Sequence, residues 1–121
     1  MPAPSARPAA RSAPADALPP SVPVLALDRS GTIRALTRAA RQALEYRAGA
    51  PIGDCFFDHV HDRHLRRVMQ DLADVVCRGK RRAQWLLRLR TGHDRWRWYR
   101  VTARPRRASA DGRILVRLRP L

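Results

Sequence analysis

Apolar and polar residues follow two different periods along this chain, and the change of period divides it into elements. Over residues 62–78 the apolar residues recur at offsets of three and four, which predicts an amphipathic helix with one buried face. This apolar face consists of Leu65, Val68, Met69, Leu72 and Val76. Asp62 is the expected N-cap of the helix, and Gly79 is expected to end it.

After this helix the apolar residues alternate with a period of two, which is typical of strands with one buried face. The pattern predicts three strands, separated by a turn at residues 91–94 and a loop at residues 105–112. The residues expected to face inward are Trp85, Leu87, Leu89, Tyr99, Val101, Ala103, Ile114, Val116 and Leu118. Strict alternation in three successive strands favours an antiparallel sheet with helices on one side only.

The first part of the chain predicts a hairpin and a short helix. Two short apolar strands, over residues 22–27 and 32–36, flank a turn at Asp28–Gly31, and Thr37 is the expected N-cap of a helix over 38–44. A further helical turn is expected over 54–60. The fold class is therefore α+β: a five-stranded antiparallel sheet, formed by two strands, helices and then three strands, with helices packed on one face. Residues 22–121 form the domain, and the Pro/Ala-rich residues 1–21 are expected to be a disordered tail.

Most of the net positive charge lies in the last third of this 121-residue chain. The formal net charge is +15, and residues 80–121 hold fourteen basic residues against two acidic ones. Such a field favours anionic partners, although an arginine-rich solvated surface is the simpler alternative. Two cysteines cannot form a disulfide scaffold, and no apolar run approaches the roughly 20 residues of a membrane span. We therefore expect a soluble cytoplasmic protein with no membrane span.

Several turns and helix starts, taken in order, resemble those of the PAS sensor-domain family over Val22–Leu118. The matching segments are Asp28–Gly31, Leu44–Tyr46, Ile52–Gly53, His61–Arg63, Gly92–Trp98, Pro105 and Asp111–Gly112. Thr37 stands where many members have asparagine, and Glu45 where glycine is usual. The resemblance implies a PAS-like fold and a bacterial-type sensory or interaction module. Members bind haem, flavin or small metabolites, or bind nothing and serve in dimerisation.

In a PAS fold the inner sheet face and the long helix line the ligand cavity. The corresponding residues here are Val68, Met69, Leu72, Trp85, Leu87, Tyr99, Val101, Ile114 and Val116. Few polar groups point inward, and large side chains such as Trp85 and Tyr99 can fill the space. We therefore expect a filled core and predict no cofactor.

Cys55 and the nearby histidines are the candidate ligands for a metal or cofactor. Cys55 resembles the flavin-reactive cysteine of light-sensing relatives, but the chain contains no asparagine to hold a flavin ring. Cys55, His59 and His64 are donor types that zinc accepts, and haem-binding relatives use a histidine on the long helix, where His64 lies. Their spacing differs from common zinc motifs, so surface histidines are expected, with neither metal, haem nor flavin. No catalytic motif is present, and we expect no enzyme.

The outer sheet face is the most informative feature of the sequence. We expect it to bind a partner through Arg88, Arg90, Trp96, Trp98, Arg100, Arg104, Arg117 and Arg119. Exposed tryptophan beside arginine is typical of interface hot spots.

An acidic protein or another PAS domain is the expected partner, and a homodimer through another edge is possible. Nucleic acid is the alternative, because the same pair stacks bases and neutralises phosphates. A third possibility is that the tail or flanking chain covers both tryptophans. Because the chain ends just after its last strand, we expect signal output to pass through a partner protein.

Overall fold

The computed structural model describes residues 19–106 and 113–121, in which five strands and two helices follow one another. The elements are β1 (Val24–Leu27), β2 (Ile33–Leu36), α1 (Arg38–Ala43), a 3-10 turn (Phe56–His59), α2 (Asp62–Cys77), β3 (Ala83–Arg90), β4 (Trp96–Pro105) and β5 (Ile114–Pro120). The predicted hairpin turn at Asp111–Gly112 and the predicted tail up to residue 18 lie outside the described residues.

The five strands form one antiparallel sheet in the order β2-β1-β5-β4-β3. Helix α1 contacts β1 and β5, and helix α2 contacts β3 and β4. The predicted α+β fold, with two strands, helices and three further strands, is confirmed. The last strand in sequence, β5, lies at the centre of the sheet, so the first and last parts of the domain stabilise each other directly.

Both edges of the sheet are partly covered by the segment between the helices. Val60 forms an isolated bridge with Leu89 at the β3 edge, and the His61 amide donates to the Arg88 carbonyl at 3.0 Å. At the other edge the Ile33 amide donates to the Asp54 carbonyl at 2.6 Å. Covered edges discourage edge-to-edge pairing with another sheet. The residues before α2 are thereby brought beside β3.

The core lies between the inner sheet face and the helices, and it contains eight of the nine residues predicted to line a cavity. Those eight are Val68, Leu72, Trp85, Leu87, Tyr99, Val101, Ile114 and Val116, all buried in a single cluster. The prediction for Met69 was wrong, since its side chain is 47% exposed. The buried side of α2 is rotated toward Val75, which is buried, while Val76 is only partly buried.

Two hydrogen bonds satisfy the polar ends of the largest core side chains. The Tyr99 hydroxyl donates to the Ala43 carbonyl at 2.5 Å, which ties β4 to the end of α1. The Trp85 indole N–H donates to Asp71 Oδ2 at 2.8 Å, which ties β3 to α2. Burial also raises the pKa of Tyr99 above its usual value, so the hydroxyl stays protonated and able to donate.

Local caps fix where the helices begin. Thr37 Oγ1 accepts from the Ala40 amide at 3.1 Å, as the sequence predicts for an N-cap. In α2 the N-cap is His61 and not Asp62, because His61 Nδ1 accepts from the Arg63 amide at 3.1 Å. Asp62 instead lies in the first turn, where its carboxylate interacts favourably with the helix dipole.

The predicted boundary between tail and domain at Val22 stays a prediction, although contacts with the domain begin earlier. The Ala39 amide donates to the Pro20 carbonyl at 2.9 Å, and the Val22 amide donates to the Pro19 carbonyl at 3.0 Å. These residues therefore lie against the start of α1 and not apart from the domain.

Glu45 occupies the position after α1 where the family usually has glycine, and the structure supplies the reason. Its φ is 64°, in the left-handed region that glycine adopts at little cost. Its carboxylate accepts from Arg95 Nε at 3.0 Å and also lies 3.4 Å from an Arg97 nitrogen. The hydrogen bond from Arg95 is the main reason that the pKa of Glu45 is lowered to about 2. Ion pairs from Glu45 to the β3–β4 turn and to β4 thus compensate for the strained backbone.

We predict that Glu45→Gln lowers the thermal unfolding midpoint at pH 7 by about 2–5 °C. A carboxyl with a lowered pKa stabilises the fold fully above its unfolded value of 4.5, and this contribution disappears as pH falls toward about 2. The difference between wild type and variant should therefore shrink between pH 5 and pH 3, as measured by circular dichroism melts. Asp94→Asn is the matched control, because Asp94 pairs with Arg90 on an exposed turn. A difference that stays constant with pH would contradict this role.

Candidate interaction surface

The outer face of the sheet, which is the face turned away from α1 and α2, presents a regular array of cationic and aromatic side chains. It comprises Gln84, Leu86, Arg88, Arg90, Trp96, Trp98, Arg100, Thr102, Arg104, Leu115, Arg117 and Arg119. All eight residues expected there from the sequence lie on this face. Trp96 and Trp98 are each 45% exposed, and Leu86 is 50% exposed.

The tryptophans are held between arginines and histidines. Arg88 Cζ lies 5.0 Å from the centre of the Trp98 ring, and Arg90 Cζ lies 5.9 Å from that of Trp96. Cation–π contacts of this kind orient the rings without burying them fully. These stacked pairs are also cross-strand partners in the β3–β4 register, so the sheet itself positions them.

Two histidines at the start of α2 complete this aromatic end of the face. The His61 ring lies 4.8 Å from the Trp96 ring centre, and the His64 ring lies 5.6 Å from that of Trp98. Burial, and then the nearby Arg88, lower the pKa of His64 below its ordinary value. The lowered pKa favours the neutral ring at pH 7, and no described residue forms a hydrogen bond with the buried Nε2 atom of His64.

The structure does not bring the candidate metal ligands together. His59, expected at the surface, is buried, and its Nε2 lies 2.9 Å from the Gly53 carbonyl oxygen. The backbone of Cys55 forms an isolated β-bridge with that of Thr32 at the β2 edge, whereas the His64 ring lies against Trp98. Within residues 19–106 and 113–121, no group of three or more His, Cys, Asp or Glu side chains is placed to hold a metal ion.

Most arginines of the outer face have no acidic partner among residues 19–106 and 113–121. Arg90 is the exception, since its Nε donates to Asp94 Oδ1 at 2.7 Å, which the sequence did not indicate. In the part of the chain that the structure describes, no ion pair involves Arg88, Arg100, Arg104, Arg117 or Arg119. The described carboxylates that form ion pairs lie at turns or on α2, away from these arginines.

Two adjoining depressions run across the outer face. One of about 440 Å³ is lined by Pro19, Val22, Val24, Arg82, Gln84, Thr102, Arg104, Leu115 and Arg117. The other, of about 420 Å³, is lined by Pro23, Gln84, Arg100, Thr102, Arg117, Leu118, Arg119 and Pro120. Among the described residues, no carboxylate lines either depression. Together they form a groove with cationic and apolar walls.

The sequence-based prediction omitted three side chains of the outer face, Gln84, Leu86 and Leu115, and also Arg82, which lines the groove. The alternation that placed Trp85 inside also places Gln84 and Leu86 outside, so the signal for those two was present. The contribution of Pro19 and Val22 carried no such signal, because it depends on how the chain before β1 lies against β5.

The amino-acid sequence identifies the family of this chain. It matches the family described as "PAS fold" over residues 16–120, and the chain belongs to this family. A search of the curated proteins finds no significant match. PAS domains are generally sensory modules, and they often interact with other PAS domains or proteins.

Solved PAS domains share the fold at low sequence identity. The PAS domain of an HTR-like protein from Haloarcula marismortui is 16% identical, with a TM-score of 0.66 over 83% of this chain and 81% of that one. Drosophila melanogaster Cycle PAS-B is 11% identical, with a TM-score of 0.68 over 81% and 98%. The PAS domain of nitrogen regulation protein NR(II) from Vibrio parahaemolyticus is 19% identical, with a TM-score of 0.62 over 83% and 89%. Identities this low establish the fold and nothing more.

Among the described residues, no helix is both long and apolar enough to cross a membrane.

The three tryptophans should respond differently to the same substitution. We predict that Trp85→Phe lowers the free energy of unfolding by about 1–3 kcal/mol, because a smaller ring replaces the buried indole and the hydrogen bond to Asp71 is lost. Trp96→Phe and Trp98→Phe should each change it by less than about 0.5 kcal/mol, since both rings are partly exposed. Urea denaturation followed by circular dichroism measures all three. Equal losses would mean that the outer tryptophans serve the core.

Proposed function

We propose that this PAS domain is a non-enzymatic sensory and protein-interaction module of cytoplasmic signalling that binds an acidic protein partner on its outer sheet face. The observation that carries the proposal is a cationic face on which none of the described residues is a carboxylate. Arg100, Arg104, Arg117 and Arg119 are exposed side by side, with no described acidic partner. Charge complementarity steers such a face toward an acidic surface and rejects basic ones.

The aromatic end of the same face supports a protein as partner. Interface hot spots are enriched in tryptophan and arginine, and they need apolar area that can be covered. Trp96, Trp98 and Leu86 supply that area next to Arg88. Because the arginine contacts already orient both rings, little side-chain freedom is lost on binding.

A second copy of this domain is a poor partner for the outer face. Two such faces would bring arginines against arginines, and like charges in an interface cost several kcal/mol. A homodimer would therefore use another surface, and a different PAS domain would need acidic residues on the face it presents.

Nucleic acid is the alternative partner, and the stacked Arg88–Trp98 and Arg90–Trp96 pairs favour it. Arginine neutralises phosphates and exposed aromatic rings stack on bases. One face of each ring is already occupied by an arginine, however, which leaves less room for stacking. Binding to single-stranded RNA would weaken steeply with salt.

We predict that a triple variant, Arg100→Glu, Arg104→Glu and Arg117→Glu, weakens binding of a 12-residue peptide of alternating aspartate and leucine by about tenfold or more. The reason is the loss of charge attraction at the outer face, and tenfold corresponds to ~1.4 kcal/mol. Fluorescence anisotropy at near-physiological salt measures the affinity, with single-stranded RNA titrated in parallel.

The matched control reverses three exposed arginines elsewhere: Arg38→Glu, Arg47→Glu and Arg66→Glu. Both variants lower the formal net charge from +15 to +9, so overall charge alone predicts equal effects. The control should keep its affinity within about threefold. Equal weakening by both variants, or no binding by the wild type, would refute the proposed surface. RNA binding stronger than peptide binding would favour nucleic acid.

A further inference from the structure

Two arginines face each other directly at the centre of the outer face. Arg100 in β4 and Arg119 in β5 are register partners, and the flanking pairs Val101–Leu118 and Tyr99–Pro120 show that the pairing is regular. Side chains in such positions have Cβ atoms about 4.5–5.5 Å apart, and like charges there destabilise a sheet. With no acidic partner described for either arginine, the pair carries an unfavourable interaction that an anion would relieve.

A third arginine and two neutral polar groups join this pair. Arg117 lies two residues from Arg119 on the same face of β5 and is the register partner of Thr102. The depression of about 420 Å³ that contains all three arginines is also lined by Thr102 and Gln84. Guanidinium forks, a hydroxyl and an amide are all donors for an oxyanion. Every polar side chain that the described residues contribute to this depression can donate, and none of them is acidic.

The number of charges favours a phosphoryl group over a carboxylate. Three guanidinium groups supply three positive charges, whereas a carboxylate offers one negative charge and two oxygens. A phosphorylated side chain carries a charge of about −1.5 to −2 at pH 7 and three strong acceptor oxygens. It can therefore accept hydrogen bonds from several guanidinium groups at once. Each guanidinium group is planar and can donate two hydrogen bonds to the oxygens of one phosphate.

The surroundings favour a phosphoryl group that is part of a protein segment. The three arginines are exposed, so a small molecule would be enclosed much less than in an ordinary ligand pocket. Apolar side chains flank the depression on both sides. Leu115 lines the adjoining depression, and Leu86 in β3 is the register partner of Arg100. A chain segment that crosses the sheet would use both sides.

We propose that Arg100, Arg117 and Arg119 bind the phosphoryl group of a phosphorylated side chain in the acidic segment of the partner. This inference rests on the proposed function, because it names the group that the outer face recognises within that segment. Docking of the partner would then be switched by phosphorylation of the partner.

Three versions of the aspartate–leucine peptide test this site, with serine, phosphoserine or glutamate at the centre. The wild-type protein should bind the phosphoserine peptide about tenfold or more tightly than the glutamate peptide at near-physiological salt. Arg119→Gln should reduce this preference to less than about threefold, while the glutamate peptide loses less affinity. Because this variant removes a like-charge pair, its unfolding midpoint should be no lower than that of the wild type.

Arg104→Gln is the matched control, since Arg104 lies on the same face but does not line the depression of Arg100 and Arg119. It should weaken both peptides alike and leave the phosphoserine preference intact. Equal binding of the phosphoserine and glutamate peptides by the wild type would overturn the phosphoryl site while leaving an acidic partner possible. Failure of all three peptides would refute the proposed function itself. Single-stranded RNA that competes with the phosphopeptide and binds more tightly would assign the site to nucleic acid.

Discussion

The pairing of β3, β4 and β5 is the constraint on which the rest of the structure depends. Antiparallel register, held without interruption from Ala83–Ala103 to Arg90–Trp96, sends alternate side chains to opposite faces. One face buries Trp85 and Tyr99 against the helices, and the other displays arginine and tryptophan. A shift of one residue would exchange the two sets and expose the core, so burial of the inner face also fixes the arrangement of the outer one.

The same register explains why the surface has two chemically different parts. At one end of the face each arginine is opposite a tryptophan, so cation–π contacts stabilise these two guanidinium groups. At the centre Arg100 is opposite Arg119, and nothing described in the chain compensates for the repulsion. A surface that retains such a pair, with no described carboxylate beside it, has the electrostatic character of an anion-binding site.

Departures from the usual family pattern are balanced by tertiary contacts. Glu45 takes a left-handed conformation that glycine would adopt more easily, and its ion pairs with Arg95 and Arg97 join the end of α1 to the β3–β4 turn. Gly92 in that turn donates its amide to the Leu44 carbonyl at 2.7 Å. A Cβ at Gly92 would collide with the Glu45 backbone, so these two positions constrain each other.

The sequence by itself determined the order of the elements, the inner and outer faces of the last three strands and the cap at Thr37, because each of these depends on local periodicity or on a neighbouring side chain. Only the tertiary structure decided the rotation of α2, which exposes Met69 and buries Val75, since packing against two strands sets that angle. It also decided which arginines are paired, and that His61 and His64 lie against Trp96 and Trp98. The histidine–tryptophan contacts, and the ion pairs of Glu45 with Arg95 and Arg97, join residues more than thirty positions apart, and no local pattern encodes such a distance.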